Sequence, residues 1–576
     1  MTRARMVGGC LALVTVAGLT ACVQVPDNGA VVEARQPVRA EQFQAPGNIP
    51  PPPGAGAEPA EIVSGFLDAM TATPLQTSSA KTFLSTQGQA AWRPEDRVIT
   101  YSGLSPVQGT DQVAVRLQGA DQVGAGGNWL GSVPRAQRRL VFPMVREDGE
   151  WRIAEAPDAL IIPRDFFDGN FTDASLYYFD PTGRILVPEP VHVPQGSQLA
   201  SYLVRDLLRA PRSSTGSVTQ TFIPPGLSVS LSVPVNHRVA EVNLKGHDPG
   251  PLAANIVRRM LAQFAWTLRQ DTTISAFTLT IAGRAVTDDS GASRFPVDDS
   301  AYDRYDPTVE KASGQAYALR RGRLVSGQIE RPTPVDGPFG RDPLGIGDFA
   351  VRLDGSEVAG VTPTALLLGP VQGPAPSSIA KSGTGFLRPT WDFANRLWEV
   401  QDTPRGAVVE YLVRDKWRQV RMPGITKQDV RRFLVSRDGS RIVAVLHGPD
   451  ADRIVVTRIQ YDVNGRAIGT DGTHVLPWVS GGTTRIRDIG WTSPTTIAVL
   501  DQLSPAKAEV RILDVDGSTP PDQAAPTLVS GRVRELVTSP VDRPYALQQS
   551  GLIDISPVDV NKQIPLTGYR HVTYAG

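Results

Sequence analysis

A strand-turn-strand unit recurs through the C-terminal half of the chain, and this repeat constrains the fold more than any other feature. Its clearest copies, FAVRLDGSEVAGV and FLVSRDGSRIVAV, begin at Phe349 and Phe433. Weaker copies begin at Leu387, Ile489 and Leu536, so successive copies start 38, 46, 56 and 47 residues apart. Four-stranded propeller blades recur at about this spacing. With a further unit in QAYALRRGRLVSGQ, the repeat predicts a β-propeller of five or six blades.

Length and composition indicate several β-rich domains. At 576 residues the chain is too long for one hydrophobic core. Its 49 prolines and 54 glycines favour many turns and few long helices. The formal net charge is zero, whereas a nucleic-acid-binding surface concentrates basic residues. We therefore expect a multidomain, β-rich protein with no nucleic-acid partner.

Residues 1–21 have the pattern of an export signal. A basic start, MTRAR, precedes 16 weakly apolar residues, which are too few for a membrane-spanning helix of about 20. The segment ends in LTAC, which resembles a bacterial lipobox. This resemblance implies cleavage between Ala21 and Cys22, a diacylglycerol thioether on Cys22 and an N-acyl chain on its amine. The alternatives are an ordinary signal peptide and an uncleaved anchor.

A polar segment separates the predicted lipid from the first folded domain. Residues 22–58 include seven prolines and no periodic apolar pattern, so they predict a flexible tether. A domain over residues 59–170 follows. It starts with an amphipathic helix in EPAEIVSGFLDAMTA and continues with strands that include a hairpin turning at Asp148-Gly149. One helical layer followed by an antiparallel sheet resembles the α+β cone of nuclear-transport-factor-2-like (NTF2-like) domains.

Residues 171–290 predict an α/β domain. The phrases LYYFDPTGRILVPE, FIPPG, VAEVNL and LTIAGRAV resemble the GerMN domain of spore-germination and cell-envelope proteins. The resemblance implies a non-catalytic interaction module. A helix in SQLASYLVRDLLRAP has Ser197 as its expected cap. Residues 291–310 predict a polar, solvated hinge before the propeller over residues 311–576. The acidic pair Asp288-Asp289 lies just before this hinge and the pair Asp298-Asp299 lies within it.

No residue pattern in the chain predicts catalysis, a metal or a cofactor. Both cysteines, Cys10 and Cys22, fall in the first 22 residues. The six histidines are scattered along the chain, and we expect these histidines to be solvated loop residues. Two S-x-x-K matches, at Ser78 and Ser378, lack the partner motifs of penicillin-recognising enzymes. The glycines of PLGIGDFA open no helix and predict a turn instead of a dinucleotide site. We expect no enzyme activity.

The order of lipobox, tether, NTF2-like region, GerMN domain and propeller resembles the actinobacterial LpqB lipoprotein family along nearly the whole chain. The resemblance implies a lipid-anchored protein on the extracytoplasmic face of the cell membrane. It further implies a partner, the extracellular region of an MtrB-type sensor histidine kinase, and an accessory role in MtrA–MtrB two-component signalling, cell-wall homeostasis and division.

Two other classes of function remain open from the residues alone. One is an envelope module that binds a small molecule or glycan in the propeller channel or in the N-terminal cone, and a deep, polar, charged propeller mouth would favour it. The other is a cell-wall enzyme built on an Asp/Glu pair. A broad exposed apolar patch would instead favour a protein partner.

The lipobox yields a direct prediction about Cys22. Replacing Cys22 by alanine removes the thiol that would be alkylated, so the chain should leave the membrane fraction or persist as uncleaved precursor. Cell fractionation with mass spectrometry of the N-terminus measures both outcomes. Mature Cys22→Ala protein that stays in the membrane fraction would contradict lipidation at this residue.

Overall fold

The structure, a computed structural model, describes residues 48–209, 218–308, 313–328, 331–478, 485–518, 525–556, 562–566 and 568–576. The predicted signal peptide, Cys22 and nearly all of the tether lie outside these residues. Residues 48–576 form one unit by their contacts. The domain boundaries given above stay predictions, and the regions are described below by their sheets and cores.

The N-terminal region begins with the predicted amphipathic helix. Pro59 occupies its first turn, where a missing N–H costs nothing, and Glu58 and Glu61 form a capping box. The helix buries Phe66, whose ring packs 5.3 Å from Trp92 and 6.0 Å from Phe142 between ring centroids. The helices are α1 (Pro59–Ala69), α2 (Ser78–Lys81), α3 (Thr86–Ala91) and α4 (Arg164–Asn170).

Two four-stranded sheets complete this region, in the orders β5-β4-β1-β8 and β2-β3-β6-β7. The strands are β1 (Arg97–Tyr101), β2 (Gly103–Leu104), β3 (Gln112–Gln118), β4 (Asp121–Gly124), β5 (Trp129–Ser132), β6 (Arg139–Glu147), β7 (Glu150–Ile153) and β8 (Leu160–Pro163). The predicted hairpin is confirmed. Asp148 and Gly149 join β6 to β7 with φ of 53° and 84°, the positive values that a two-residue hairpin turn requires.

The middle region combines a hairpin with a second sheet and two helices. Its elements are β9 (Phe171–Phe179), β10 (Leu186–Pro194), α5 (Leu199–Leu207), β11 (Ser228–Val229), β12 (Val235–Asn236), β13 (Val239–Lys245), α6 (Ala254–Leu268), β14 (Ala276–Ile281), β15 (Arg284–Ala285) and β16 (Arg294–Pro296). Ser197 does not cap α5, because the residue before the helix is Gln198 and its side chain makes no capping bond. That prediction was wrong.

Helix α6 covers the open edge of strand β9. Gln263 and Thr267 of the helix, and Gln270 just after its end, bond to the main chain of β9. Gln270 both accepts from the Ser175 N–H and donates to its carbonyl, each at 2.7 Å. The helix thus satisfies main-chain groups that a further strand would otherwise pair, and this accounts for the complete burial of Gln263 and Thr267.

The segment predicted as a solvated hinge is partly folded onto the middle region. Strand β16 pairs with β14, and a 3₁₀ helix spans Ser300–Tyr305. Phe295, Tyr302 and Tyr305 are buried in the same hydrophobic core as the two long helices. We therefore propose that the middle domain extends to residue 305. Aromatic side chains in an otherwise polar segment are the signal for this packing.

Residues 316–576 form six four-stranded sheets, the blades of a propeller. Blade 1 holds β17 (Ala316–Arg320), β18 (Arg323–Gly327), β19 (Thr333–Pro334) and, from the end of the chain, β40 (Tyr569–Thr573); blade 2 follows the short helix α7 (Pro338–Arg341) and holds β20 (Asp348–Val351), β21 (Glu357–Val361), β22 (Ala365–Pro370) and β23 (Ser378–Ser382).

Blades 3 to 6 follow in chain order. Their strands are β24 (Thr390–Trp391), β25 (Leu397–Gln401), β26 (Val408–Val413) and β27 (Lys416–Gln419); β28 (Val430–Val435), β29 (Arg441–Leu446), β30 (Arg453–Tyr461) and β31 (Ala467–Val475); β32 (Ile486–Trp491), β33 (Thr496–Ser504), β34 (Lys507–Asp514) and β35 (Thr527–Ser530); and β36 (Glu535–Val537), β37 (Tyr545–Leu547), β38 (Gly551–Asp554) and β39 (Gln563–Pro565). The prediction of a β-rich chain with a C-terminal propeller is confirmed, with six blades.

The propeller closes because its last strand completes its first blade. Strand β40 pairs antiparallel with β17, with Tyr317 opposite Thr573 and Ala318 opposite Val572. The inner strands β20, β24, β28, β32, β36 and β40 then contact one another in a closed ring. Closure removes the exposed strand edge that an open array of blades would leave on β17.

Closure by β40 predicts the effect of a truncation. Deleting residues 569–576 would expose the edge of β17 and remove the buried side chains of Val572 and Tyr574, a loss of at least about 3 kcal/mol of unfolding free energy. Chemical denaturation and limited proteolysis measure the change. Unfolding as cooperative and as stable as that of the full chain would contradict the proposed role of this strand.

Candidate functional site

The predicted lipidation residue Cys22 and cleavage residue Ala21 lie outside the described residues, so the structure bears only on the folded domains. Within these, the β9–β10 hairpin, here named the central hairpin, contacts both of its neighbours. Its strands pair without interruption from Phe171 opposite Pro194 to Phe179 opposite Leu186. The hairpin therefore holds three groups of side chains at fixed spacing: those of its turn, its middle and its open end.

The middle of the central hairpin binds blade 4 through a buried charge cluster. The Arg441 guanidinium, with 3% of its side chain exposed, donates a 2.7 Å hydrogen bond to the Pro188 carbonyl and lies 3.3 Å from the Glu189 carboxylate. Arg458 binds the other oxygen of that carboxylate. Removing one partner of such a buried group leaves an uncompensated charge, so this contact fixes how the middle region docks on the propeller.

The open end of the central hairpin places His192 where three regions meet. Its Nδ1 lies 2.7 Å from Asp173 on the paired strand, and its Nε2 lies 3.4 Å from Asp516 of blade 5. From the N-terminal region, the rings of Trp129 and Phe167 pack against the imidazole with centroids 5.4 and 5.7 Å away. The side chain is only 6% exposed.

The surroundings of His192 set its charge. Burial would lower the pKa of the imidazole, but Asp173 and Asp516 outweigh burial and raise it to about 9. The pKa of the neighbouring Asp514 carboxyl is also raised, to about 7, because burial and the charges of Asp516 and Asp173 disfavour its ionised form. His192 is therefore a cation at neutral pH, held between two carboxylates at the domain junction.

The turn of the central hairpin forms one wall of a cleft of about 850 Å³. Turns of blade 3 and blade 4 and the β26–β27 hairpin form the rest. Six cationic side chains line this basic cleft, together with two carboxylates and the aromatic residues Phe393 and Tyr411. The cations are Arg184, Arg396, Arg414, Lys416, Arg418 and Arg466, and the carboxylates are Asp180 and Asp462.

Most cations of the basic cleft have no acidic partner. Arg396 alone is neutralised, by the buried Asp392 carboxylate at 2.5 Å. Among the described residues, no ion pair joins the other five to a carboxylate. The two lining carboxylates are already engaged: Asp180 accepts from the Arg184 and Ile185 N–H groups, and Asp462 accepts from the Asn464 and Arg466 N–H groups.

The charges of the propeller channel, in contrast, are paired with one another. Near one end, each blade contributes one charged or titratable residue, and these six are Asp348, Arg388, Arg432, Asp488, Glu535 and His571. Arg388 lies 2.7 Å from both Asp348 and Glu535. Burial would raise the pKa of Glu535, but His571 and Arg388 lower it to about 2. The six groups bind one another, and Arg388 also lines a cavity of about 70 Å³.

The motifs weighed in the sequence have structural explanations. Lys381 of the second S-x-x-K match lies on outer strand β23, where it binds Glu410 and contacts the Trp417 ring. Gly345 has φ of 72° in the turn before β20, as predicted for a turn. Within the described ranges, no three His, Cys, Asp or Glu residues come together in a way that could hold a metal ion.

Comparison with known proteins accounts for each region of the chain. The profile described as "Lipoprotein LpqB, N-terminal domain" matches residues 52–168, and the profile "Lipoprotein LpqB beta-propeller domain" matches residues 322–557. "Sporulation and spore germination" matches residues 175–287. Lipoprotein LpqB of Thermobifida fusca (strain YX) is 25% identical, covering 88% of this chain and 89% of its own length.

The chain belongs to the LpqB lipoprotein family. Lipoprotein LpqB of Streptomyces coelicolor is 26% identical over 91% of this chain and 90% of its own length, and that of Mycolicibacterium smegmatis is 27% identical over 80% and 82%. Relatives named lipoproteins over most of the chain support an envelope lipoprotein. No helix in the described part of this LpqB-family chain is long and apolar enough to cross a membrane.

Solved structures add no functional argument. TolB from Acinetobacter baumannii is 13% identical, and the match covers 61% of this LpqB-family chain and 99% of TolB with a TM-score of 0.32. The nidogen/laminin complex gives the same TM-score at 12% identity. Both scores are below 0.5, and nothing further follows from them.

The structure corrects the prediction for two histidines and adds two features. His192 is buried in a charge cluster and His571 lies in strand β40 against Glu535, so the expectation of solvated loop histidines was wrong for both residues. The sequence predicted neither the charge cluster at His192 nor the basic cleft. Their members are far apart in the chain, as Arg184 and Arg466 of the cleft are. The alternation of apolar residues around His192 in ILVPEPVHV was the available signal that it lies in a strand.

The raised pKa of His192 predicts a pH-dependent stability. Folding raises the pKa of this histidine from 6.5 to about 9. Its contribution to the free energy of unfolding is therefore complete below pH 6.5 and disappears as the pH rises through about 9. Replacing His192 by glutamine should therefore lower the unfolding free energy by about 3 kcal/mol at pH 6 and by much less above pH 9.

Urea denaturation of both proteins between pH 6 and 10 measures this difference. The matched control is His247→Gln, since His247 is exposed in the same region of the chain. It should leave the curve unchanged. A His192→Gln deficit that is equal at pH 6 and pH 10 would show that His192 acts through packing alone.

Proposed function

We propose that this chain is a membrane-anchored, extracytoplasmic lipoprotein that binds the extracellular region of an MtrB-type sensor histidine kinase as an accessory regulator. Through the MtrA–MtrB system it would affect cell-wall homeostasis and division. Membership of the LpqB family and the lipobox before Cys22 support this proposal. The structural observation that carries it is the central hairpin, which joins the three regions and so keeps their exposed faces in a fixed arrangement.

Lipidation and recognition act together in this proposal. Two acyl chains on Cys22 would confine the chain to the membrane face that displays the kinase sensor region, which raises the effective concentration of one for the other. Binding would alter signalling only if the two states of the kinase bind this chain with unequal affinity. A rigid arrangement of domains favours such discrimination, because it fits one shape of a partner better than another.

The arrangement of buried charges supports recognition over catalysis. Arg441 is engaged by Pro188 and Glu189, His192 by Asp173 and Asp516, and the channel residues by one another. A catalytic group needs a perturbed pKa and an open path to a substrate. The charges around Arg441 and in the channel are paired across the contacts between regions and between blades, so they serve docking and closure of the propeller.

A second candidate function is an envelope module that binds a charged small molecule or glycan. The basic cleft favours it, because its volume is in the range of small-molecule sites and, among the described residues, five of its six cations have no acidic partner. In that case the chain would report the presence of the ligand to its partner. The cell-wall enzyme remains the least supported class.

Site-specific crosslinking in intact cells tests the proposed partner. A photo-crosslinking residue is placed singly at Leu130, Leu231 and Val463, which are 51%, 96% and 81% exposed and lie in the N-terminal region, the middle region and the propeller. Mass spectrometry identifies the captured proteins. We expect the sensor kinase to be captured from at least one position, which also identifies the contacting face.

The matched control carries the same crosslinking residue in the Cys22→Ala chain. Capture should fall there, because the effective concentration at the membrane is lost. If all three positions capture other envelope proteins and none captures a sensor kinase, the kinase proposal is overturned.

A further inference from the structure

We propose that the basic cleft is a binding site for a ligand that carries two or more phosphate groups. This inference goes beyond the proposed partner and does not depend on it. The site lies between the turn of the central hairpin and the turns of blades 3 and 4, and nothing in the family descriptions assigns it.

The cleft is a built cavity, because several tight contacts hold its walls. Arg396 is fixed by the Asp392 carboxylate and donates a 2.9 Å hydrogen bond to the Gly465 carbonyl of blade 4. Gly465 has φ of 75°, and a Cβ there would come within 3.2 Å of the Thr182 side chain. The close approach of these turns sets the width of the cleft before any ligand arrives.

The charge of the cleft is not balanced within the protein. Five cations without an acidic partner line it, against two carboxylates whose oxygens already accept main-chain hydrogen bonds. Like charges gathered in one concave site repel one another, and low-dielectric walls strengthen that repulsion. A bound polyanion would relieve it, and the attraction would be greatest for an anion with several charges in a small volume.

The kinds of cation present favour phosphate. Four of the five are arginines, whose planar guanidinium donates several N–H bonds in the fork geometry that phosphate oxygens accept. Arg184 is stacked 5.1 Å from the centroid of the Phe393 ring, which orients it without neutralising it. An acidic peptide would spread its carboxylates along an extended chain, whereas a phosphorylated ligand concentrates its charge inside the 850 Å³ cavity.

Calorimetric titration of the full chain in detergent tests this inference, with sodium tripolyphosphate as the probe. The variant Lys416→Glu/Arg418→Glu/Arg466→Glu reverses three cations of the cleft. We expect saturable binding to the unaltered chain that weakens with salt, and at least about tenfold weaker binding to this variant. If the variant unfolds, Lys416→Glu alone serves, with a smaller loss in the same direction.

The matched control Arg323→Glu/Arg405→Glu/Lys507→Glu reverses three exposed propeller cations that do not line the cleft. It should bind within about twofold of the unaltered chain. Equal weakening in the two triple variants, or no saturable binding to the unaltered chain, would overturn the site.

Two further probes identify the source of the phosphate. Tighter binding of tripolyphosphate than of bis(glycerophospho)glycerol, which carries two phosphate groups, supports a free phosphorylated ligand, whereas the reverse order supports a phospholipid headgroup. Tighter binding of a hexaglutamate peptide than of either phosphate compound would overturn the assignment to phosphate. None of these measurements involves a kinase, so their failure and the failure of the kinase proposal are separate results.

Discussion

The register of the central hairpin is the constraint on which the arrangement of the described regions depends. One antiparallel pairing positions the turn at the basic cleft, Glu189 at Arg441, and His192 at Asp516. Because strand side chains alternate between faces, a shift of one residue would turn Glu189 and His192 away from their partners together. Helix α6 and the residue Gln270 after it hold β9 in place, since Gln263, Thr267 and Gln270 bond to main-chain groups of that strand at fixed positions.

The sequence predicted those parts of the fold that depend on neighbouring residues. The Asp148-Gly149 turn and the glycines of the blade repeat, such as Gly355 and Gly439, adopt the positive φ that the pattern implied. The repeat predicted five or six blades and not a single number, because β40 belongs to the first blade yet lies at the end of the chain. Ser197 failed as a cap because the helix starts after Gln198, and helix ends are the least determined part of a local pattern.

The candidate sites could not be predicted, since their residues meet only after the domains dock. Arg441 and Glu189 are 252 residues apart, and no local pattern at either position marks an ion pair across a domain junction. Five cations of the cleft have no ion-pair partner among the described residues, and they come from three separate turns. The sequence of each turn by itself predicts only a solvated loop. For His192, the alternation of apolar residues predicted the strand that carries it. The sequence did not predict its two carboxylate partners.

The basic cleft and the charge cluster at His192 lie at opposite ends of the same hairpin, and this links ligand binding to domain docking. A ligand in the cleft would touch the middle region through Arg184 and the propeller through Lys416 and Arg466. It would therefore bind the docked arrangement and stabilise it, by an amount that grows with the ratio of ligand concentration to dissociation constant. The Asp516 carboxylate, which approaches His192 from blade 5, stabilises the same arrangement from the other end. Ligand occupancy and pH would then act on a single docking equilibrium, which is the property that a protein presenting a fixed face to a membrane partner requires.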